Sequence, residues 1–161
     1  MKIRAIVLWL TLAVGLGVVN WQIVQKEQLA SNGQVVLLQL APVDPRSLFQ
    51  GDYMQLRYAL VDQVAEPELG RGGTLVIQLD GQQVASYSRL YQPGTPLADT
   101  EQLLRYQVRD GEVWIGADSF FFEEGQAAIY ENARYGELRV AASGDSILVG
   151  LRSDRFEPLG R

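Results

Sequence analysis

Residues 51–60 read GDYMQLRYAL, and the rest of the chain can be ordered around them. Gly51-Asp52 is a turn-forming pair, because glycine adopts backbone shapes that other residues resist and aspartate caps nearby amides. Met54, Leu56, Tyr58 and Leu60 then recur at every second position, with Tyr53, Gln55 and Arg57 between them. A period of two places the first set on one face of a strand and the second on the other. The stretch therefore reads as a turn leading into a half-buried strand over residues 53–60.

Working outward, Val35 to Leu40 is a nearly continuous apolar run, as a central strand requires, and Pro42 and Pro45 break it with Asp44 between them. Residues 66–73 form a connection containing Pro and Gly. Three hairpins follow, each with turn chemistry at its centre. Residues 74–79 and 84–91 flank Asp80-Gly81, 103–108 and 113–115 flank Asp110-Gly111, and 137–142 and 147–151 flank Ser143-Gly144-Asp145. Residues 93–99 read as a loop. Gln126 to Tyr135 has helix-forming composition and is followed by Gly136 in the place of a C-terminal cap, with Ile129 and Ala133 on one face. Phe120, Phe121 and Phe122 are consecutive, so in a strand they point to both faces, which predicts core on one side and, on the other, either a covered face or an apolar surface patch for a membrane partner. Together these segments predict a mainly β, mostly antiparallel domain of roughly eight or nine strands, a sandwich or partly closed barrel, with one short helix.

The amino-terminal segment is of another kind. Ala5 to Val24 contains no charged residue, and twenty helical residues rise about 30 Å, the thickness of a bilayer core. Lys2 and Arg4 precede it, which favours a cytoplasmic amino terminus, and Trp9 and Trp21 lie towards its two ends, where indoles prefer the interface. Residues 25–32 are polar and extend it as a short stalk, which Gly33 ends. The division expected is 1–32 as anchor and stalk, and 33–161 as an exported β-rich domain. A cleaved signal peptide has the same order of charges, but the apolar core is long for one and no clear small-x-small site follows.

Composition removes several functions. The chain of 161 residues carries 19 acidic against 14 basic residues, the wrong balance for nucleic acid. It has no Cys and no His, so thiolate and imidazole chemistry, lipid acylation at Cys and the commonest metal ligands are absent. Lysine occurs only at Lys2 and Lys26, which excludes a Ser-Lys dyad of the signal-peptidase kind inside the domain. The sequence suggests no cofactor, no metal site and no catalytic residue.

The order Gly51-Asp52-Tyr53, two residues, Leu56, one residue, Tyr58 resembles the defining motif of the GDYxxLxY family. The preceding LAPVDPRSLFQ and, more loosely, the tail from Phe121 through Leu151 are also similar to it. The resemblance implies a bacterial, single-pass inner-membrane protein with its domain in the periplasm. It also implies a multi-spanning inner-membrane partner, and no catalytic residues to carry over. In this light Asp44, Pro45, Gly51, Leu56 and Tyr58 read as structural. Arg46, Asp52, Tyr53 and Arg57 read as a polar patch able to receive a partner or an anionic ligand. Two rival readings are a carboxylate hydrolase of envelope polymer, drawing on Asp52, Asp118, Glu123 and Glu124, and a small-ligand sensor with its pocket near Arg46 and Asp52.

Overall fold

The computed structural model describes residues 2–41, 53–64, 70–109 and 112–160. Asp44, Pro45, Arg46, Gly51, Asp52 and the Asp110-Gly111 turn lie outside them. The chain starts with α1 (Lys2–Asn32), and strand β1 (Gln34–Gln39) follows after a single residue. The window of α1 that is long and apolar enough to span a membrane has a mean hydropathy of 1.9 and no part of it is buried by the rest of the protein.

The remaining strands are β2 (Tyr53–Gln55), β3 (Gly72–Leu79), β4 (Ala85–Leu90), β5 (Glu101–Arg109), β6 (Glu112–Ile115), β7 (Ser119–Phe121), β8 (Tyr135–Val140) and β9 (Ser146–Arg152). They pair antiparallel in three sheets, ordered β1-β8-β9, β2-β7 and β4-β3-β5-β6. All three contribute to one core, which includes Val36 and Leu38 of β1, Met54 of β2, Leu75 and Ile77 of β3, Leu104 of β5 and Leu138 of β8. Hydrogen bonds tie the sheets at their corners. The Leu37 amide donates to the Gln83 carbonyl (2.8 Å) and the Arg105 amide to the Gly144 carbonyl (2.9 Å), while the Leu56 amide, donating to the Asp118 carbonyl (2.7 Å), extends the β2-β7 pair.

The three expected hairpins are β3-β4, β5-β6 and β8-β9. Gly144 at the last turn has φ +88, and a Cβ there would lie 3.2 Å from the Arg105 amide, so the residue serves both a left-handed turn and a close approach. The β3-β4 loop falls where Asp80-Gly81 predicted it, but Gly81 does not carry the positive φ. The positive φ (65°) falls on Gln83, and the Asp80 carboxylate accepts from the Gln82 and Val84 amides (2.8 and 2.9 Å), so side-chain capping holds a longer loop.

Three expectations are corrected. The strand expected over 53–60 stops at Gln55. Tyr58 makes only an isolated bridge with Leu40, and Ala59–Gln63 is a 3-10 helix. The alternation nevertheless persists, since Met54, Leu56, Tyr58 and Leu60 are all buried. The helix expected over 126–135 is the single turn α2 (Ala127–Tyr130), which buries Tyr130 and leaves Ile129 exposed, so Ile129 and Ala133 do not share a buried face. Gly136 is not a helix cap. It lies in β8, where a Cβ would stand 3.0 Å from the Tyr58 ring and 3.3 Å from Leu148. Its missing side chain makes room for the motif tyrosine.

Candidate functional site

The described part of the motif builds a two-stranded ribbon on the core. In β2-β7, Tyr53 pairs with Phe121, Met54 with Phe120 and Gln55 with Ser119. Directly opposed residues share a face, so Met54 and Phe120 turn inward together. Phe120 meets Tyr130 edge-on (centroids 5.1 Å, 60°), and Phe122 also packs on Tyr130 (5.0 Å). Tyr53 and Phe121 turn outward and contact each other, with centroids 5.7 Å apart. Phe121 is 74% exposed. The Phe120–Phe122 run allows two readings, a covered second face or an apolar surface patch, and the structure leaves that face open to solvent at Phe121.

Arg57 lies beyond the end of β2. Its guanidinium binds the Asp62 carboxylate at 2.6 Å with both side chains largely exposed, a surface pair of the kind that contributes at most about 1 kcal/mol. The loop that presents it is held by backbone bonds, the Ala41 amide donating to the Arg57 carbonyl at 2.8 Å. Of the four residues expected to form a polar patch, Tyr53 and Arg57 are therefore described and sit on the ribbon and its exit. Arg46 and Asp52 lie outside the described residues.

Tyr58 anchors this region from below. It is buried, and its hydroxyl donates to the Ala117 carbonyl at 2.9 Å. Burial raises its pKa well above the ordinary tyrosine value, and the nearby charge of Asp118 raises it further. That bond fixes the 116–118 segment leading into β7, so the buried face of the motif sets the position of the exposed one.

Of the carboxylates singled out by sequence, Asp52 lies outside the described residues, and the other three form no acid pair in a cleft. Asp118, Glu123 and Glu124 are exposed, and Glu123 accepts from the Gln126 amide group at 3.1 Å. Among the described residues no group of three metal-ligating side chains stands together. A groove of about 660 Å³ lies along the edge strand β4, lined by Tyr87, Ser88, Arg89, Leu90, Gln92 and Thr95, none of them from the motif. The Arg89 guanidinium is held there by Glu101 at 2.9 Å.

One cluster has no counterpart in the sequence reading. Glu137 is 2% exposed although β8 turns it away from the main core. Its carboxylate accepts from Arg152 Nε at 2.8 Å and lies 3.8 Å from Arg139 Nη2. Arg152 also donates to the Phe156 carbonyl at 2.7 Å, tying in the C-terminal segment. The spacing of Glu137 and Arg139 in YGELRV puts them on one face; the cross-strand arginine cannot be read from a sequence.

The family model described as GDYXXLXY protein matches residues 15–151. The chain belongs to the GDYXXLXY family. No curated protein and no solved structure matches it significantly. Within the GDYXXLXY signature of this chain, Leu56 and Tyr58 are core and Tyr53 is half-buried. The described part of the family signature is thus mostly fold-specifying, with one aromatic side chain left at the surface.

Proposed function

We propose that the chain is a single-pass inner-membrane protein whose β domain, in the periplasm, assembles with a multi-spanning membrane protein. The observation that carries this reading is the outward pair Tyr53 and Phe121, on a ribbon whose inner face is core. Two aromatic side chains in contact on an outward face form a local apolar patch, and aromatic residues are enriched at the centres of protein interfaces. Arg57 and Asp62 lie just beyond the ribbon and supply a polar rim. The anchor supports the choice of partner. If residues 5–24 cross the hydrocarbon, residues 25–32 add only about 12 Å of helix before the domain begins, which keeps the domain at the membrane surface.

The test is purification of the tagged full-length protein from its native membrane. The wild type is expected to bring down a multi-spanning protein in a fixed ratio. Phe121→Glu is expected to lose most of that partner while keeping its own melting temperature, because Phe121 is exposed and supports no core. Recovery of the wild type alone, or equal recovery of partner with Phe121→Glu, contradicts the reading.

A further inference from the structure

The junction between anchor and domain consists of Gly33 alone, between α1 and β1. A flexible tether would need a longer polar segment. Here the Gly33 amide instead donates to the Leu29 carbonyl at 2.9 Å, closing the last turn. From the other side, Arg139 of β8 donates Nη1 to the Gly33 carbonyl at 3.3 Å, which sets a positive charge at the helix carboxyl end, where the helix dipole favours it. The approach is close. A Cβ on Gly33 would stand 2.6 Å from the Leu29 carbonyl oxygen and 2.9 Å from Arg139 Cβ. The glycine is there for contact, since its φ is not in the left-handed region.

The end of α1 also contacts β8 and β9, and Leu29 and Ala30 are its half-buried residues. Leu37 of β1 is paired in register with Glu137 and buried outside the main core cluster, so the sheet face that carries Glu137 is covered. From Gly33 the contacts run to Arg139, Glu137, Arg152 and the Phe156 carbonyl. Anchor, sheet and C-terminal segment are thereby joined through one buried carboxylate.

We infer that this junction is a rigid clasp, so that the anchor and the β domain move as one body and a tilt or rotation of the helix in the membrane is transmitted to the domain. The inference does not depend on the identity or existence of a partner. It implies that the Tyr53–Phe121 face has a fixed height and direction over the membrane.

The chain has no native cysteine, so spin labels can be placed at Gln22→Cys in the helix and Gln107→Cys on exposed β5 of the full-length protein in lipid nanodiscs. The wild-type background is expected to give one narrow distance distribution. Arg139→Gln, which removes the contact to Gly33 but leaves Glu137 paired with Arg152, is expected to lose the single narrow peak. Gly33→Ala is expected to lose it as well, with the domain retaining a cooperative melt in both. Arg57→Gln, which breaks the surface pair with Asp62 at the opposite end of β1, should keep it. A broad wild-type distribution overturns the inference, as does a narrow peak in both folded variants. Should one variant lose its cooperative melt, the other decides, because they act from opposite sides of the junction.

Discussion

Tyr58→Ala is expected to lower the unfolding free energy of the domain by about 3–5 kcal/mol, the range for emptying an aromatic site in a packed core. The ring rests against Gly136, which has no side chain to fill the void, and the Ala117 carbonyl loses its donor. Urea denaturation of the full-length protein in detergent, followed by tryptophan fluorescence, measures the change. Tyr58→Phe separates ring from hydroxyl and is expected to cost only about 1 kcal/mol at neutral pH. The same pair of variants carries a pH prediction. Because the folded-state pKa of Tyr58 is raised, the folded protein holds this proton more tightly than the unfolded chain. The contribution is fully present below the unfolded tyrosine pKa of about 10 and is lost as pH rises above it, by up to about 1.4 kcal/mol per pH unit. Burial raises Tyr106 in the same direction, helped by Tyr87. Tyr58→Phe should therefore make the alkaline fall in stability shallower without abolishing it. An alkaline profile unchanged by Tyr58→Phe contradicts the assignment.

Glu137→Ala is expected to cost about 2–4 kcal/mol. Removing one member of a buried ion pair leaves its partners uncompensated, a loss of about 3–5 kcal/mol when they are fully enclosed. The Arg139 and Arg152 side chains retain 27% and 25% exposure, and their access to water lowers the figure. The same denaturation experiment on Arg152→Met and on the double variant completes a cycle. The double variant should be less destabilised than the sum of the two single changes, because it removes the unpaired charge along with its partner. Strict additivity would show that the carboxylate and the guanidinium are not coupled.

These two sites mark where the sequence was legible and where it was not. The burial of Met54, Leu56, Tyr58 and Leu60 could be read from their spacing, because side-chain alternation survives even where the ladder stops. The length of that strand could not. After Gln55 the backbone bonds pass to the Asp118 carbonyl and to Leu40, both distant in sequence. Hairpins were legible from Asp80-Gly81 and Gly144, since turn chemistry is local. The pairings β1-β8, β2-β7 and β3-β5 were not, because nothing local encodes them. Gly136 shows the same limit. Beside a helix-forming stretch it reads as a cap, whereas its role is set by a tyrosine 78 positions earlier in the chain.

The candidate site was legible in part. Tyr53 and Arg57 were found from the motif and lie at the surface, whereas for Phe121, the most exposed large apolar residue among the described part of the β domain, the run of three phenylalanines left a covered face and an open patch as alternatives. Only the β2-β7 pairing brings it beside Tyr53. Glu137 was not legible because the arginine that pairs with it comes from a neighbouring strand.

The assembly proposed for this family member is tested most directly by site-specific photo-crosslinking in native membranes, with the photoreactive residue placed in turn at Phe121, at Tyr53 and at Gln82 in the remote β3-β4 turn. The account predicts one membrane-protein adduct from Phe121 and Tyr53, and none from Gln82. Equal adducts from all three positions, or none from Phe121 and Tyr53, would contradict it.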